Sequence, residues 1–299
     1  MKIIIGSRGS KLAIAQSQLV IDKLKEIAPE HEYEIKVIST KGDQIQHLPL
    51  DKIGDKGLFV REIEDQIRND LVTIGVHSMK DMPSTIDDGL EFTGTITSED
   101  NRDCLILNHG YQSIDDLPNG AVIGSGSKRR AYQLNRIRPD IKVVTIRGNV
   151  NTRLEKMKKQ NMDGIILAAA GLKRLGMENI ISYYFPYDQM VPACAQGCLA
   201  LQIKEGSFIK ELIDQIVDPI STQQMTLERS FLMNVEGSCH IPVGSSCRIH
   251  DDKVDFYGLL GDEQGHQILQ VHQTFSLEEA SRKIKEIALE MKGKVQNNE

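Results

Sequence analysis

Residues 234–247 read NVEGSCHIPVGSSC and set Cys239 between a Gly-Ser pair and His-Ile-Pro. So much glycine, serine and proline interrupts helix and strand alike, which puts the thiol on a loop. There it can serve as a nucleophile or a covalent anchor, and a packed, inert thiol is the competing reading. A second candidate is VHSMKDMPS, 76–84, where Lys80 and Asp81 are adjacent and Pro83 stops any helix. Asp81 is either a turn residue bonding its own backbone or a carboxylate placed to stabilise a developing cation and move protons. Arginine also recurs beside Gly/Ser loops: Arg8 in GSRGS, Arg129 and Arg130 in GSGSKRR, Arg147 and Arg153 in RGNVNTR, Arg174 in GLKR. Their forked guanidinium groups suit carboxylate or phosphate. Neither GxxxxGK[ST] nor GxGxxG occurs, which disfavours a nucleotide. Cys104, Cys194, Cys198, Cys239 and Cys247 form no CxxC pair, so no metal is expected.

The chain has 299 residues, 40% hydrophobic and 26% charged, enough for two or three domains with real cores. Its net charge of −6 is unevenly placed: from Ser125 to Arg174 thirteen Lys/Arg stand against three acids, leaving about −16 elsewhere. That window is a solvated basic face or a site for an anion with several charges. Tyr132 is its one aromatic residue, so base stacking has little support and no nucleic-acid partner is expected. MKIIIGSRGS lacks the apolar run of a signal peptide. No apolar stretch approaches the roughly 20 residues of a membrane span. An odd, irregular set of five cysteines suits reduced thiols. The expectation is a cytoplasmic protein without a membrane partner, and a monomer.

The elements that must hold these side chains are legible as periodicity. KIII (2–5), YEIKVIST (33–40) and TIGVHS (73–78) are β-type runs, while KLAIAQSQLVIDKLKEIA and LFVREIEDQIRND (58–70) carry helical spacing. AVIGS, KVVTIRG and GIILAAA repeat the alternation farther on. Strands alternating with helices predict parallel, doubly wound α/β sheets, two of them. Each Gly/Ser/Arg loop then lies at the carboxyl end of a strand, where a helix N-terminus attracts anions. IIIGSRGSKLAIAQ and AVIGSGSKRRAYQL echo each other as strand, loop and helix, as two related halves would. The last ~80 residues differ: a helical DPISTQQMTLERSFLMNV, then VDFYGLL and HQILQVHQTF about GDEQG as a hairpin. In the closing helix Ser276 and Glu279 have capping-box spacing. This end reads as a small α+β domain. KGDQIQHLPLDKIGDKG, 41–57, is a lid or a disordered excursion.

Taken together, ERSFLMNVEGSCHIPVG (228–244), VHSMKDMPS, KGDQI, GDKGLF, SKRRAYQL, RGNVNTRL and AAAGLKRLG closely resemble, in order, the sequence blocks of the porphobilinogen deaminase family. The resemblance implies a transferase that joins four porphobilinogen molecules head to tail, releases ammonia at each step and hydrolyses the product to hydroxymethylbilane. It implies a dipyrromethane cofactor held by a thioether to Cys239, with porphobilinogen and linear pyrrole intermediates as partners. By the same resemblance Asp81 is the catalytic aspartate. Arg8, Arg129, Arg130, Arg147, Arg153 and Arg174 hold acetate and propionate groups, Ser10, Lys56, Ser78, Lys80 and Ser127 make further contacts, and Phe59 stacks near the pyrroles. The implied architecture is two periplasmic-binding-protein-like domains, 1–96 with 197–215 and 97–196, plus an α+β domain, 216–299, that carries the attachment cysteine. Ala195, Cys198, Gln202 and Lys128 depart from the usual pattern, glycine being usual at 195 and an acid frequent at 202.

Overall fold

The structure is a computed structural model that describes residues 1–44, 57–85, 87–236 and 241–296. The chain runs β1 (Lys2–Ser7), α1 (Lys11–Ile27), β2 (Glu32–Val37), α2 (Lys41–Gln44), α3 (Arg61–Arg68), β3 (Ile74–Ser78) and β4 (Leu90–Phe92). It continues through β5 (Asp103–Leu107), β6 (Val122–Gly124), α4 (Lys128–Ile137), β7 (Lys142–Val144), α5 (Val150–Lys159), β8 (Gly164–Ala168), α6 (Ala169–Arg174) and β9 (Tyr183–Tyr184). Then come β10 (Leu199–Lys204), α7 (Lys210–Asp214), α8 (Pro219–Asn234), β11 (Val243–His250), β12 (Lys253–Gly261), β13 (Ile268–Ser276) and α9 (Ala280–Gln296). The described residues pack as two units, one from 1–99 and 197–223, the other from 100–196 and 224–296.

In the first unit a five-stranded sheet has the order β2-β1-β3-β10-β4. Helix α1 lays Val20, Ile21 and Leu24 on one face, against Ile3, Ile5, Ile74, Val76, Leu199 and Leu201. Helix α3 covers the other with Ile63 and Ile67, beside Val72 and Leu90. Covered on both faces, β3 (IGVHS) buries its first four residues in a row, His77 among them, rather than alternating. Each fully buried isoleucine or leucine contributes about 1.5–3 kcal/mol by leaving water.

The second unit repeats the plan with the order β7-β6-β8-β5-β9. The echo between IIIGSRGS and AVIGSGSKRR thus corresponds to equivalent places, the first strand-to-helix junction of two sheets of like topology. The predicted parallel pairing holds for three strands of each sheet, and the other two strands of each depart from it. β1, β2 and β3 are mutually parallel, as are β6, β7 and β8, but β10 runs antiparallel to β3 and β4, and β5 antiparallel to β8 and β9. A parallel neighbour needs a crossover, usually helical. β5 and β10 each follow a strand of the other sheet, β4 and β9, so no crossover within one sheet sets their direction.

The same unit contains a three-stranded antiparallel sheet, β11-β12-β13. The predicted hairpin is β12–β13; β11, hidden in VGSSCRIH, was not foreseen because its serines blur the apolar alternation. Helices α8 and α9 bury Leu227, Phe231, Ile284, Ile287 and Met291 against Val254, Phe256 and Leu260. Ser276 and Glu279 meet side chain to side chain at 2.8 Å. Gly293 lies inside α9, and a Cβ there meets nothing within 4 Å. Gly293→Ala should therefore raise stability by up to about 1 kcal/mol through helix propensity alone, read as a shift in the urea midpoint.

Candidate active site

Because β1, β2 and β3 are parallel, the segments leaving them share one edge of the first sheet. Ser7 ends β1, and Arg8 follows at once. Ser10 caps α1, its hydroxyl accepting from the Ala13 amide at 3.2 Å. The Arg8 guanidinium is bonded to the Asp43 carboxylate through Nε, 3.2 Å to each oxygen, and through Nη2, and lies 4.2 Å over the Phe59 ring. Burial pushes the Asp43 carboxyl up, but the bonds and charge of Arg8, with a 2.8 Å bond from Thr40, hold it below the ordinary carboxylate range. A Cβ on Gly42 would fall 2.1 Å from the Phe59 ring, so the aromatic seat needs the glycine of KGD.

Ser78 ends β3 and pairs with Gln16 of α1 at 3.0 Å. The next three residues form one 3₁₀ turn, Met79–Asp81. Its anchor is Met79, 1% exposed, whose amide donates to the Cys198 carbonyl. With Met79 fixed below, Lys80 is half-buried and Asp81 is exposed at the sheet edge. The turn-residue reading of Asp81 is correct for its backbone; its carboxylate nonetheless stands at the surface among the residues that follow parallel strands.

In the second unit β6, β7 and β8 deliver the next set to an equivalent edge. Ser127 precedes α4 and makes no side-chain cap bond. Arg147 lies in the loop after β7, and burial lowers its guanidinium somewhat. Asn149 caps α5 by accepting from the Thr152 amide at 2.9 Å, and Arg153 in that helix donates to the Gly148 carbonyl at 2.8 Å. Arg174 ends α6, which begins directly after β8.

Arg129 and Arg130, at the start of α4, close on a buried carboxylate. Both are buried, at 5% and 6% exposure, around Asp103, which is fully buried. Arg129 Nη1 donates to Asp103 Oδ2 and to the Val191 carbonyl, each at 2.6 Å; Arg130 Nε donates to Oδ1 at 2.9 Å, as does Gln196 Nε2. Burial pushes the Asp103 carboxyl up, yet the two arginine charges and these bonds drive it far below the carboxylate range. Antiparallel β5 explains the meeting: its first residue, Asp103, pairs with Ala168, the last of β8, and so reaches the edge where α4 begins.

Asp43, Asp103, Gln196 and the buried His77 were missed in the sequence. A signal existed for Asp43, in KGD, but Asp103 follows from strand direction alone. Lys56 and Cys239 lie outside the described residues, as does most of the 41–57 run. Among the described residues no group of three or more His, Cys, Asp or Glu could hold a metal ion. None of the described helices is long and apolar enough to cross a membrane.

Comparison with known proteins now adds to this geometry. The family model "Porphobilinogen deaminase, dipyromethane cofactor binding domain" matches residues 3–210, and "Porphobilinogen deaminase, C-terminal domain" matches 222–293. A porphobilinogen deaminase of Clostridioides difficile (strain 630) is 51% identical over 270 residues, 90% of each chain. That of Clostridium novyi (strain NT) is 49% identical over 286 residues, 94% of this chain and 95% of its own. Among solved structures, a Salmonella typhimurium periplasmic binding protein with high arginine specificity overlays with a TM-score of 0.41 at 12% identity, covering 74% of this chain and 96% of that one.

Two outcomes follow from the buried charges. Asp103→Asn leaves two buried guanidinium groups without their counter-charge and should cost at least about 3 kcal/mol in denaturant unfolding. Burial, with the Arg8 charge adding to it, pushes the His77 imidazole down to about 4. Between pH 6.5 and 4 the unfolded chain binds a proton at this residue that the native chain does not. Stability should fall on acidification through that window, by up to about 1.4 kcal/mol per pH unit. His77→Gln should remove this component, seen as a flatter dependence of the urea midpoint on pH.

Proposed function

The chain belongs to the porphobilinogen deaminase family, and from that premise we propose which of its residues carry out the reaction. The activity is hydroxymethylbilane synthesis, a transferase reaction of tetrapyrrole biosynthesis: four porphobilinogen molecules are joined head to tail with loss of ammonia, and the product is released by hydrolysis. In each step a C–N bond of an aminomethylpyrrole breaks, a C–C bond to the acceptor pyrrole forms, and the acceptor carbon loses a proton. A carboxylate at the reacting carbon stabilises the positive charge that develops and receives that proton. Asp81 is the carboxylate that fits. It is exposed, sits on a turn held by the buried Met79, and has Lys80 and Ser78 beside it.

The residues present suit a dipyrromethane cofactor, because a group bearing several carboxylates needs several forked cations, and the strand-to-helix junctions carry them. We assign its carboxylates and those of the substrate to Arg8, Arg147, Arg153, Arg174, Lys56 and Lys80, with hydroxyl contacts from Ser10, Ser78 and Ser127. Phe59, seated by Gly42 and Arg8, offers a flat apolar face to a pyrrole. Arg129 and Arg130 act through Asp103, holding the frame behind Ser127. The cofactor supplies the acceptor pyrrole on which the chain is built. Cys239 is its proposed attachment point, through a thioether.

One observation carries that assignment furthest: Cys104, Cys194, Cys198 and Cys247 are all buried. Burial pushes the Cys104 and Cys194 thiols up to about 12 and that of Cys247 well above its ordinary range. Thiols so protonated and enclosed are poor nucleophiles, which supports the remaining cysteine, Cys239, as the one that bonds carbon. A cytoplasmic, monomeric working form is proposed with it.

The direct check is intact mass of the denatured protein followed by peptide mapping. An excess equal to two linked pyrroles on the Cys239 peptide, absent from Cys239→Ala, is expected; a bare chain that gains no adduct from added porphobilinogen would overturn the attachment. Asp81→Ala should keep the melting curve of the parent and lose nearly all ammonia release, and substantial turnover in that variant would remove Asp81 from its role.

A further inference from the structure

Glu228 lies on α8, eleven residues before Cys239, and is 3% exposed. Its two carboxylate oxygens bond to different parts of the chain. Oε2 accepts from the Ala195 amide at 2.6 Å, and Oε1 from the Cys247 amide, on β11, at 2.8 Å. The Ser245 hydroxyl donates to the Glu228 carbonyl at 3.4 Å. One side chain thus joins the helix that precedes Cys239, the strand that follows it, and the segment that ends the second α/β sheet.

That segment is itself tied to the buried arginines. Gln196 donates to Asp103, Val191 accepts from Arg129, and the Val191 amide donates to Gln133 of α4 at 2.8 Å. Ala195 has φ +57, the left-handed region that costs a non-glycine residue about 1–2 kcal/mol, and the Glu228 bond falls on its amide. On the other side, a Cβ on Gly244 of β11 would lie 2.4 Å from the Pro192 carbonyl oxygen and 3.1 Å from Arg129 Cδ. Strand and segment therefore touch backbone to backbone.

A carboxyl in this apolar setting, among Leu227, Phe231, Cys194 and Cys247, is costly to keep. Burial pushes it up to about 8, against the pull of the Cys247 and Ala195 amides. Merely filling space would be done better by an apolar side chain. What a carboxyl group provides here is two oxygens in diverging directions, each accepting from a different backbone amide.

We propose that Glu228 is a positioning residue for chain elongation, clamping both stems of the Cys239 segment to the Asp103–Arg129–Arg130 frame so that the attached chain is held in register. The inference rests on Cys239 being the attachment point. Glu228→Gln keeps one acceptor and turns the other toward an amide as a donor, opening the clamp on one side. Glu228→Asp keeps the carboxyl group but is one methylene short.

The experiment feeds limiting porphobilinogen to the holoenzymes of the parent and both variants, quenches in acid and counts pyrrole units on the protein by intact mass. Glu228→Gln should turn over about 10- to 100-fold more slowly, as a small misplacement of reacting groups does, with KM little changed. Its distribution of bound chain lengths should shift toward the longer species, and Glu228→Asp should shift the same way by less. If Glu228→Gln does not fold, Glu228→Asp is judged by the same distribution. A purely structural role would lower the melting temperature and leave the distribution as in the parent; that result overturns the proposal. Pyrrole units on Cys239 with unchanged distributions remove Glu228 only, whereas their absence from the parent's Cys239 peptide removes the attachment reading and this inference with it.

Discussion

The site in the second unit depends on one buried carboxylate. Asp103 is inaccessible to water, and two guanidinium groups at the start of α4 close on it. An isolated charge in such a place is prohibitive, and a pair is tolerated only when its geometry and remaining hydrogen bonds are complete. Here they are supplied by Val191, Ile166 and Gln196. The consequence is directional. The N-terminus of α4, with Ser127 before it, is fixed to the edge of the sheet where β5 begins. Strand polarity and ion pairing therefore specify each other: were β5 parallel to β8, Asp103 would lie at the opposite edge and both arginines would be buried unpaired.

With that frame set, the anion-binding character of the remaining loops needs little beyond parallel strands. Each βα junction exposes helix N–H groups and the positive end of a helix dipole, and the arginines extend this to a side chain that grips carboxylates in pairs. The window from Ser125 to Arg174 carries an excess of about ten positive charges in a chain of net −6. Part of that excess is internal, since Arg129 and Arg130 answer Asp103, and Arg138 answers Asp140 at 2.9 Å. The rest lies on α4, α5 and α6 and in the strand ends and loops beside them. In the first unit the corresponding arginine, Arg8, is held in line by Asp43 and Phe59 rather than by a buried partner. One junction type is thus stabilised in two ways, one from inside the sheet and one from a neighbouring loop.

How much of this was legible in the sequence depended on the range of the interaction. Local rules found α1 with its Ser10 cap, β3 and the β12–β13 hairpin, because periodicity and turn residues act over a few positions. LFVREIEDQIRND yields a helix only from Arg61, since a turn opening at Gly57 takes the first residues. Loop arginines were recognisable as residues in anion-type junctions. Whether an arginine is presented or enclosed was not, because Arg129 and Arg130 differ from Arg147 only through a carboxylate twenty-six residues earlier on an antiparallel strand. β11 was missed for a related reason: its Ser245, Ser246 and Cys247 are buried by long-range packing that no local pattern records. Asp81 shows the opposite case. Its local turn reading holds, and the same turn brings its carboxylate to the surface.

The distribution of thiols completes the physical picture. Four cysteines are enclosed by apolar neighbours, where a thiolate is disfavoured and oxidation is slow. A covalent anchor must do the reverse: reach an electrophile and then move with what it carries. The helix and strand that flank Cys239 in sequence, α8 and β11, are tied together through Glu228, which accepts from the Cys247 amide at 2.8 Å.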